Sequence, residues 1–514
     1  MNNMKLNVSD VLKRGYAIAV FWVVGVMGLG ECEAYGKDKP NIIWLMAEDI
    51  GADLECYGME GVETPNLNRL AEEGARFTSV YCPSPICSPN RSAMMVGVDQ
   101  TEFGAQHHRS NRNVPLPAPY KPMTHWLREA GYTNIIGSNL VMSKGGKIDC
   151  NFKTKMLGEY DGVKQFGLFD KRLEYTEADQ PFFNQIQLVV THRGDWWNEV
   201  RNKAPSPVLL DEIDLPPYYA DTPEVRADWA TYLDTIEYMD GEVGLLMDEL
   251  ESKGMDSNTV VIFIGDNGRC NLRGKGYLYE PGIRVPMIVW GPGIIEAGTV
   301  VEELVSVTDI TASILNLAGA EIPEYMTARP VFGVENPEFR EYVRSARDIW
   351  DEIDDCSRSI VADGFKYIRN YMPEVPWDAG QAYLDLNRPA VHVMRELDRN
   401  GRLSEEERVF FQERKPKEEL YDLKSDPHEM RNLAKDPVYS EVLMRMRGYE
   451  EKWLAEHRDY GLEDLGRREV EEALAAYQVR DVLQKEYPEV WKQLEAGELV
   501  KTKAFMKKHG KKKM

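Results

Sequence analysis

Two pairs of oxygen-bearing side chains stand directly after apolar runs of the chain. Glu48 and Asp49 follow the first such run, and Asp266 and Asn267 follow a later one. Binding sites in open α/β sheets form beyond the carboxyl ends of strands, and adjacent carboxylates there are costly unless a cation compensates them. Carboxylate and amide oxygens suit a hard cation such as Ca²⁺ or Mg²⁺. Each pair alone is also typical of a helix cap or a turn, but two in one domain favour a metal site.

A cysteine and an arginine lie four positions apart in the segment Cys87-Ser-Pro-Asn-Arg91. Pro89 and the apolar residues after it predict that Cys87 lies at the start of a helix, where main-chain N–H groups and the helix dipole favour an anion. Arg91 adds a positive group with a planar fork of donors. The alternative is a buried structural cysteine, which is the usual role of an isolated one.

A further cationic side chain, Lys275, lies between two glycines in the segment Gly274–Pro286. This loop follows the Asp266 pair closely in the chain, so its lysine could reach an oxyanion bound beside that pair. The alternative is an ordinary loop lysine that faces solvent.

Short apolar runs alternate with helical patterns over residues 39 to 335. The runs predict buried strands at 41–47, 186–190, 260–265 and 285–290. Helices are predicted over 64–75 and 222–254, each with a threonine-proline pair at its start. This alternation predicts an α/β domain over residues 35–339.

The pattern changes after residue 339. Two strand-like runs flank Asp363-Gly364, a strong hairpin signal, so residues 340–435 are expected to form a smaller α+β domain. Residues 436–514 are expected to form a helical extension. It ends in a lysine-rich tail that we expect to be solvated.

Residues 1–34 have the pattern of a secretory signal peptide. Lys5, Lys13 and Arg14 precede a 15-residue apolar run, which is short for a bilayer span of about 20 residues. We expect soluble export to the periplasm or the medium, favoured over lipidation at Cys32, and no stable membrane insertion. The six cysteines that remain match neither a disulfide framework nor a zinc site.

The net charge is −23 over 514 residues. Such an acidic chain is not expected to bind nucleic acid, because bulk electrostatics would repel it. If the substrate is an anion, its binding site must therefore carry enough local positive charge to offset the negative potential of the whole chain.

Taken together, these segments resemble the type I, formylglycine-dependent sulfatases of the alkaline-phosphatase superfamily. Residues 87–91 match the family's C-x-P-x-R maturation motif. The resemblance extends over most of residues 39–435 and includes 64–71, 266–268, 275–286 and 419–427. It implies a large mixed sheet between helices, followed by a smaller C-terminal α+β domain.

The resemblance also implies roles for single residues. Cys87 is expected to be oxidised by a formylglycine-generating maturation enzyme, and the hydrate of formylglycine is the expected nucleophile. The group at Cys87 and four oxygen ligands would hold Ca²⁺: Glu48, Asp49, Asp266 and Asn267. Glu48 departs from the aspartate usual at its position. Arg91 would hold the hydrate, Lys275 a sulfate oxygen, and His192 would face the leaving oxygen, with Asp266 a candidate base.

One family element, a lysine-x-histidine pair, is altered in this chain. The resemblance places Lys147 at the position of its lysine, as a sulfate ligand, and Asp149 where histidine is common. His107 and His108 could replace that histidine, or could instead contact substrate or pack in the fold. Arg109, with Arg112, could meet carboxylates or further sulfates of a substrate, or could be a solvated loop charge.

The sequence therefore predicts a sulfatase that acts on sulfated polysaccharide fragments, such as algal galactans, ulvan or glycosaminoglycans. Four aromatic residues could line a sugar pocket, although core or lid is their default role: Trp196, Trp197, Tyr218 and Tyr219. Two alternatives stay open at this point. One is a phosphonate or phosphate ester hydrolase of the same superfamily, and the other is a catalytically silent glycan-binding protein.

Overall fold

A computed structural model describes residues 39–155, 157, 159–160, 163–164, 167–463, 474–498 and 500–509. The predicted signal peptide, 1–34, and the last lysines of the tail, 511–513, lie outside the described residues. No helix in the described part of the chain is long and apolar enough to cross a membrane.

The described residues contain fifteen strands and fifteen α-helices. The strands are β1 (Asn41–Ala47), β2 (Ala75–Tyr81), β3 (Thr133–Ile136), β4 (Glu159–Tyr160), β5 (Val163–Lys164), β6 (Lys171–Arg172), β7 (Phe182–Leu188), β8 (Thr259–Gly265), β9 (Arg284–Trp290), β10 (Thr299–Val301), β11 (Val305–Ser306), β12 (Val343–Arg347), β13 (Ser357–Ala362), β14 (Phe365–Asn370) and β15 (Glu418–Asp422). The helices are α1 (Pro65–Glu73), α2 (Cys87–Val96), α3 (Met123–Glu129), α4 (Trp197–Lys203), α5 (Pro223–Ser252), α6 (Glu280–Ile283), α7 (Thr308–Leu317), α8 (Ala382–Asn387), α9 (Pro389–Arg399), α10 (Glu405–Arg408), α11 (Ser440–Glu456), α12 (Tyr460–Glu463), α13 (Leu474–Glu486), α14 (Pro488–Glu495) and α15 (Thr502–His509).

The large sheet has the strand order β10-β2-β9-β8-β1-β7-β3-β6, with β11 also beside β2. Among its described strands only β9 runs antiparallel to its neighbours. The predicted α/β fold with a large mixed sheet is therefore confirmed. The central parallel strands β1, β7 and β8 all end at the same edge, which is where polar side chains can converge.

Successive residues of β1 belong to different cores. Ile43 and Leu45 pack in one hydrophobic cluster, and Ile42 and Trp44 pack in another. This alternation follows from the two-residue period of a strand. The sheet therefore has a buried apolar layer on each face, with α1 and α5 over one core and α2, α3 and α7 over the other.

Two predicted helices are present with small differences. In α5 the Thr222 hydroxyl accepts a hydrogen bond from Val225 N, so this threonine is the predicted cap. The predicted helix 64–75 ends earlier, at Glu73, because Gly74 approaches a neighbouring backbone and Ala75 begins β2.

The predicted strand 186–190 has wrong limits, because the strand is β7, Phe182–Leu188. Amide side chains in its first half interrupt the apolar run, so the hydrophobic pattern did not indicate the true start of the strand. A further amide, Gln187 in the second half of the strand, donates to Met46 O at 2.8 Å.

The second sheet is antiparallel, in the order β12-β13-β14-β15. The predicted hairpin around Asp363-Gly364 joins β13 and β14, and both turn residues have positive φ, 51° and 77°. The small α+β unit is confirmed as a fold element, while the exact domain limits stay a prediction. The six cysteines in the described residues are all unpaired.

Candidate active site

The register of β1 against β8 brings together two pairs of residues, Glu48 with Asp49 and Asp266 with Asn267, called here the acidic pairs. Ala47 lies opposite Gly265, so the residues that follow each strand meet at one edge. Asp49 N donates to Asp266 Oδ1 at 3.0 Å, and Asn267 Nδ2 donates to Asp49 Oδ1 at 3.0 Å. Asp49 has φ of 51°, a left-handed conformation that turns the chain sharply after the strand.

Helix α2 delivers Cys87 to the same edge. The cysteine is the first residue of the helix, as predicted, and its Sγ lies 3.7 Å from Asp49 Oδ1. Cys87, Glu48 and Asp266 each offer a ligand atom, and these three atoms lie within 4.8 Å of one another. One turn into the helix, Arg91 donates to Asp266 Oδ2 from Nη2 at 2.7 Å and from Nε at 3.0 Å.

Three oxygens of the acidic pairs are buried without a hydrogen-bond partner among the described residues. They are Glu48 Oε1, Asp49 Oδ2 and Asn267 Oδ1. Buried oxygens of this kind cost free energy unless something binds them. The set contains only carboxylate and amide oxygens, so the residues present fit a hard dication such as Ca²⁺.

Two lysines contact the acidic pairs. Lys147 Nζ lies 2.6 Å from Glu48 Oε2, and Lys275 Nζ lies 2.6 Å from Asp49 Oδ1. Both lysines therefore lie where the two pairs meet, and their role as sulfate ligands stays a prediction. Lys275 is buried in the loop between β8 and α6, whereas Lys147 is about one-fifth exposed.

His192 also faces the acidic pairs, from the loop after β7. Its Nε2 lies 3.8 Å from Glu48 Oε2 and 3.8 Å from Asp49 Oδ2. Its Nδ1 lies 2.8 Å from Arg193 O, and because a carbonyl only accepts, Nδ1 carries the proton of that bond. Nε2 is therefore the ring nitrogen directed at the carboxylates.

The charges of this site shift one another's pKa. Burial acts to raise the pKa of Asp49, but Lys275 and His192 outweigh it and hold that pKa well below its usual range. Burial acts to lower the pKa of Lys275, yet Asp49 raises it well above the usual value. Burial and the Asp266 carboxylate raise the pKa of the Cys87 thiol to about 12, so the unmodified thiol is neutral at pH 7.

Asp149 organises the arginines of the neighbouring loop. Its carboxylate pairs closely with Arg112, lies 3.7 Å from Arg109 Nε, and lies 3.5 Å from Lys147 Nζ. Burial opposes ionisation, but Lys147 and Arg109 lower the pKa of Asp149 far below its usual value. The two arginines are thus ion-paired beside the site rather than simply solvated loop charges.

The two adjacent histidines have other partners. His108 Nδ1 lies 2.8 Å from Asp351 Oδ1, and Ile349 N donates to His107 Nδ1 at 3.4 Å. His107 lines a cavity of about 300 Å³ together with Phe103, Asn151 and others. These contacts tie both histidines to the segment around residue 350, so packing is the alternative that the contacts support.

The predicted sugar-lining role is wrong for three aromatic residues. Trp197, Tyr218 and Tyr219 are buried in the core around α5, where their large apolar surfaces pack on one another and on Trp229 or Tyr232. Trp196 is partly exposed, and its indole donates to Val190 O at 2.9 Å.

Two amides complete the site and were not predicted. Gln187 Oε1 accepts from Arg91 Nη2 at 2.6 Å, and Asn90 Nδ2 donates to Asp266 O at 2.5 Å. Polar amides within the buried strand β7 were a usable signal for Gln187, because such groups need partners. Asn90 lies within residues 87–91, but its spacing there does not predict a contact with Asp266.

Comparisons with known proteins agree with this geometry. The sulfatase family model matches residues 40–320, and the model of the C-terminal region of N-sulphoglucosamine sulphohydrolase matches residues 268–378. An ulvan-active sulfatase of Formosa agariphila is 32% identical over 464 residues, which cover 81% of this chain and 75% of that protein.

Two further relatives extend the comparison. Human N-sulphoglucosamine sulphohydrolase is 28% identical, over 84% of this chain and 92% of that protein. A solved 2-O GAG sulfatase has the same fold, with a TM-score of 0.58, 18% identity, and coverage of 85% of this chain and 96% of the other. The family model spans more than half of this chain. The chain therefore belongs to the sulfatase family and is a sulfuric ester hydrolase.

Proposed function

We propose that this enzyme removes sulfate from sulfated carbohydrates with a formylglycine made from Cys87 and a calcium ion. The observation that carries the proposal is the convergence of five side chains, from β1, β8 and α2, at one edge of the large sheet: Glu48, Asp49, Cys87, Asp266 and Asn267. Had these side chains been apart, the proposed chemistry would have had no site.

The carbohydrate substrate is supported by the names of the relatives. One of them is ulvan-active and another is a sulphohydrolase of N-sulphoglucosamine. We extend the general class, a sulfated polysaccharide or its fragments, to this chain. Sulfate release from defined sulfated sugars identifies the sugar and the position of its sulfate.

Two groups complete the chemistry. Glu48, Asp49, Asp266 and Asn267 would hold Ca²⁺, which supplies a Lewis acid that polarises sulfate oxygen. Formylglycine at position 87 would supply a geminal diol: one hydroxyl would replace the sugar oxygen on sulfur, and deprotonation of the other would expel sulfate and restore the aldehyde, a route that serine lacks.

The site's own charges favour a sulfate ester. Three carboxylates, Glu48, Asp49 and Asp266, face three basic groups: Arg91, Lys147 and Lys275. These six charges cancel, so a bound dication leaves the site positive within a chain of net charge −23. Preorganised positive charge of this kind stabilises an anion that accumulates charge in its transition state.

Arg91 and His192 have distinct tasks in this proposal. Arg91 is fixed by Asp266 and Gln187, so it orients the group at position 87 without reorganisation. His192 presents Nε2 to the site and, when protonated there, gives that proton to the departing sugar oxygen as general acid. Lys147 and Lys275 bind sulfate oxygens, and Asp266 is the candidate base for the attacking hydroxyl.

Maturation and export complete the proposal. Cys87 is only 1% exposed, so a maturation enzyme must oxidise it before this part of the chain folds. We propose that residues 1–34 direct the protein out of the cytoplasm, to the periplasm or the medium, where sulfated polymers are available.

The decisive experiment examines the peptide that contains Cys87 after expression with a maturation enzyme. The aldehyde form weighs about 18 Da less than the cysteine form, by exchange of thiol for carbonyl oxygen, and it reacts with a hydroxylamine probe. An unmodified cysteine under these conditions would falsify the mechanism.

Sulfate release by the matured protein is then measured on ulvan and glycosaminoglycan fragments. Matched aryl sulfate, phosphate and phosphonate esters separate a sulfatase from an ester hydrolase of the wider superfamily. Tight binding of sulfated sugar without any release of sulfate would indicate a silent glycan-binding protein instead.

A further inference from the structure

The C-terminal region holds the loop that carries Lys275. Arg388 Nη2 donates to the main-chain O of Lys275 at 3.1 Å, and Arg347 Nη1 donates to Gly276 O at 2.7 Å. Both arginines are buried. The main chain from Lys275 to Gly276 is therefore fixed by residues from β12 and the start of α9.

Aromatic rings from the same region cover this loop. Gly276 has φ of 90°, and a Cβ built on it would lie 1.8 Å from the Trp350 ring, so only glycine fits beneath that indole. Trp350 in turn packs against Tyr383 of α8, with 5.6 Å between ring centroids. The Tyr383 ring centroid lies 5.5 Å from Lys275 Nζ.

The hydroxyl of Tyr383 has no hydrogen-bond partner among the described residues, although the atom is buried. A buried hydroxyl without a partner costs free energy, and native structures rarely keep one unless another molecule satisfies it. Burial raises the pKa of Tyr383 above its ordinary value, against the effect of Lys275, so the phenol keeps its proton. Tyr383 is therefore a neutral donor beside a buried ammonium group.

We propose that the Tyr383 hydroxyl donates a hydrogen bond to an oxygen of the substrate's sulfate group, beside Lys275. A cation and a neutral donor side by side match an anion with several acceptor oxygens. This inference rests on the proposed function, because it adds a ligand to the same sulfate site. It also gives the small C-terminal sheet and its helices a direct part in binding substrate.

The test replaces the hydroxyl alone, in Tyr383→Phe. Inorganic sulfate is titrated calorimetrically into the Ca²⁺-loaded Cys87→Ala chain with and without this change, and the KM of a sulfate ester is measured in the matured protein. We expect both sulfate binding and KM to worsen about ten-fold, the effect of one lost hydrogen bond, with kcat changed less. We expect the melting temperature to stay the same or rise, because an unsatisfied buried group is removed.

Tyr367→Phe is the matched control, since it removes the same atom elsewhere in the C-terminal region. The Tyr367 hydroxyl donates to Glu418 Oε1 at 2.7 Å, so this variant should melt lower and bind sulfate normally. Unchanged sulfate binding in Tyr383→Phe, or an effect confined to one sugar with sulfate binding intact, overturns the inference. A matured protein that hydrolyses no sulfate ester defeats the proposed function, while sulfate binding by the Cys87→Ala chain still decides the role of Tyr383.

Discussion

The site has two groups of residues that are built differently. The inner group, Glu48, Asp49, Cys87, Asp266 and Asn267, lies at strand ends or at the start of α2, and each member is almost fully buried. The outer group, Arg109, Arg112, Lys147, Asp149 and His192, lies on loops. Its side chains are partly exposed except for the carboxylate of Asp149.

The difference between the groups lies in how each is held. Sheet register and a helix start fix the inner group, so its positions follow from the core. The outer group depends on loop backbone, with positive φ at Arg109, Asn111 and Asp149. All its basic groups except His192 also form ion pairs with the carboxylate of Asp149. We expect the inner group to set whether the reaction occurs, and the outer group to set how well a given substrate is used.

Cys87→Ala should have the largest effect. Removing the precursor of the proposed nucleophile would leave nothing to attack sulfur, so sulfate release should fall by about 10⁵-fold or more, as for other nucleophile deletions. Binding of a sulfated oligosaccharide should persist, because the lysines and Arg91 stay. Turnover and calorimetric binding measure the two parts, and turnover at the rate of the unaltered enzyme would refute the role of the inner group.

Glu48→Gln should have the next largest effect. The change removes one carboxylate charge from the proposed calcium site, and we expect about a thousand-fold loss of activity, since a Lewis-acid metal contributes several kcal/mol. Independently of activity, the Cys87→Ala chain should melt higher in Ca²⁺. That stabilisation reaches about 2.7 kcal/mol at a hundred times Kd, and Glu48→Gln should abolish it at the same concentration.

Asp309→Asn is the control for that experiment. Asp309 is a buried acid of α7 that pairs with Arg340 rather than with the inner group. This variant should melt lower yet keep the full calcium-dependent shift. If instead Glu48→Gln kept that shift and Asp309→Asn lost it, calcium would not be bound by the inner group.

The inner group could be predicted because its signals are local in the chain. Glu48 and Asp266 each follow a buried apolar strand, and parallel strands that end together bring their next residues together. Cys87 carries its own helix-start signal in Pro89. The limits of β7 and the helix end at Glu73 were less accurate, since amides inside a strand and a tight turn at glycine weaken the hydrophobic pattern.

The outer contacts could not be predicted, because they depend on how distant segments dock. Nothing in the spacing of Tyr383 indicates that its ring reaches Lys275, more than a hundred residues earlier. The aromatic residues that did look suited to a sugar, Trp197 and Tyr218, are instead required by the core around α5. Large apolar area favours burial before it favours function.

His192→Gln tests one residue of the outer group, because its effect should depend on the leaving group. A sugar hydroxyl is a poor leaving group and needs a proton, so sulfate release from a sulfated sugar should fall about a hundred-fold. The phenolate of an aryl sulfate with an acidic phenol leaves without being protonated. Sulfate release from that ester should therefore fall only a few-fold. His125→Gln, a change at a histidine of α3 paired with Glu129, is the control and should alter neither rate. Equal losses on both substrates would rule out a general acid.

Asp149→Asn should have the smallest effect on catalysis. Loss of the carboxylate loosens Arg109, Arg112 and Lys147 without removing them, so KM for a sulfated oligosaccharide should rise about 3- to 10-fold, with kcat nearly unchanged, as for lost uniform binding. A larger fall in kcat than in substrate affinity would place Asp149 with the inner group.

Stability gives Asp149 a second, independent readout. Its pKa in the folded chain lies far below the unfolded value of about 3.9, because Lys147 and the arginines outweigh burial. The ionised carboxylate therefore stabilises the fold fully above the unfolded pKa. This contribution decreases as the pH falls from there toward the folded pKa. Asp149→Asn should melt lower than the unaltered chain at pH 7, with a difference that narrows toward pH 3. A difference independent of pH would show that the side chain acts through packing rather than through the charge that holds the outer group together.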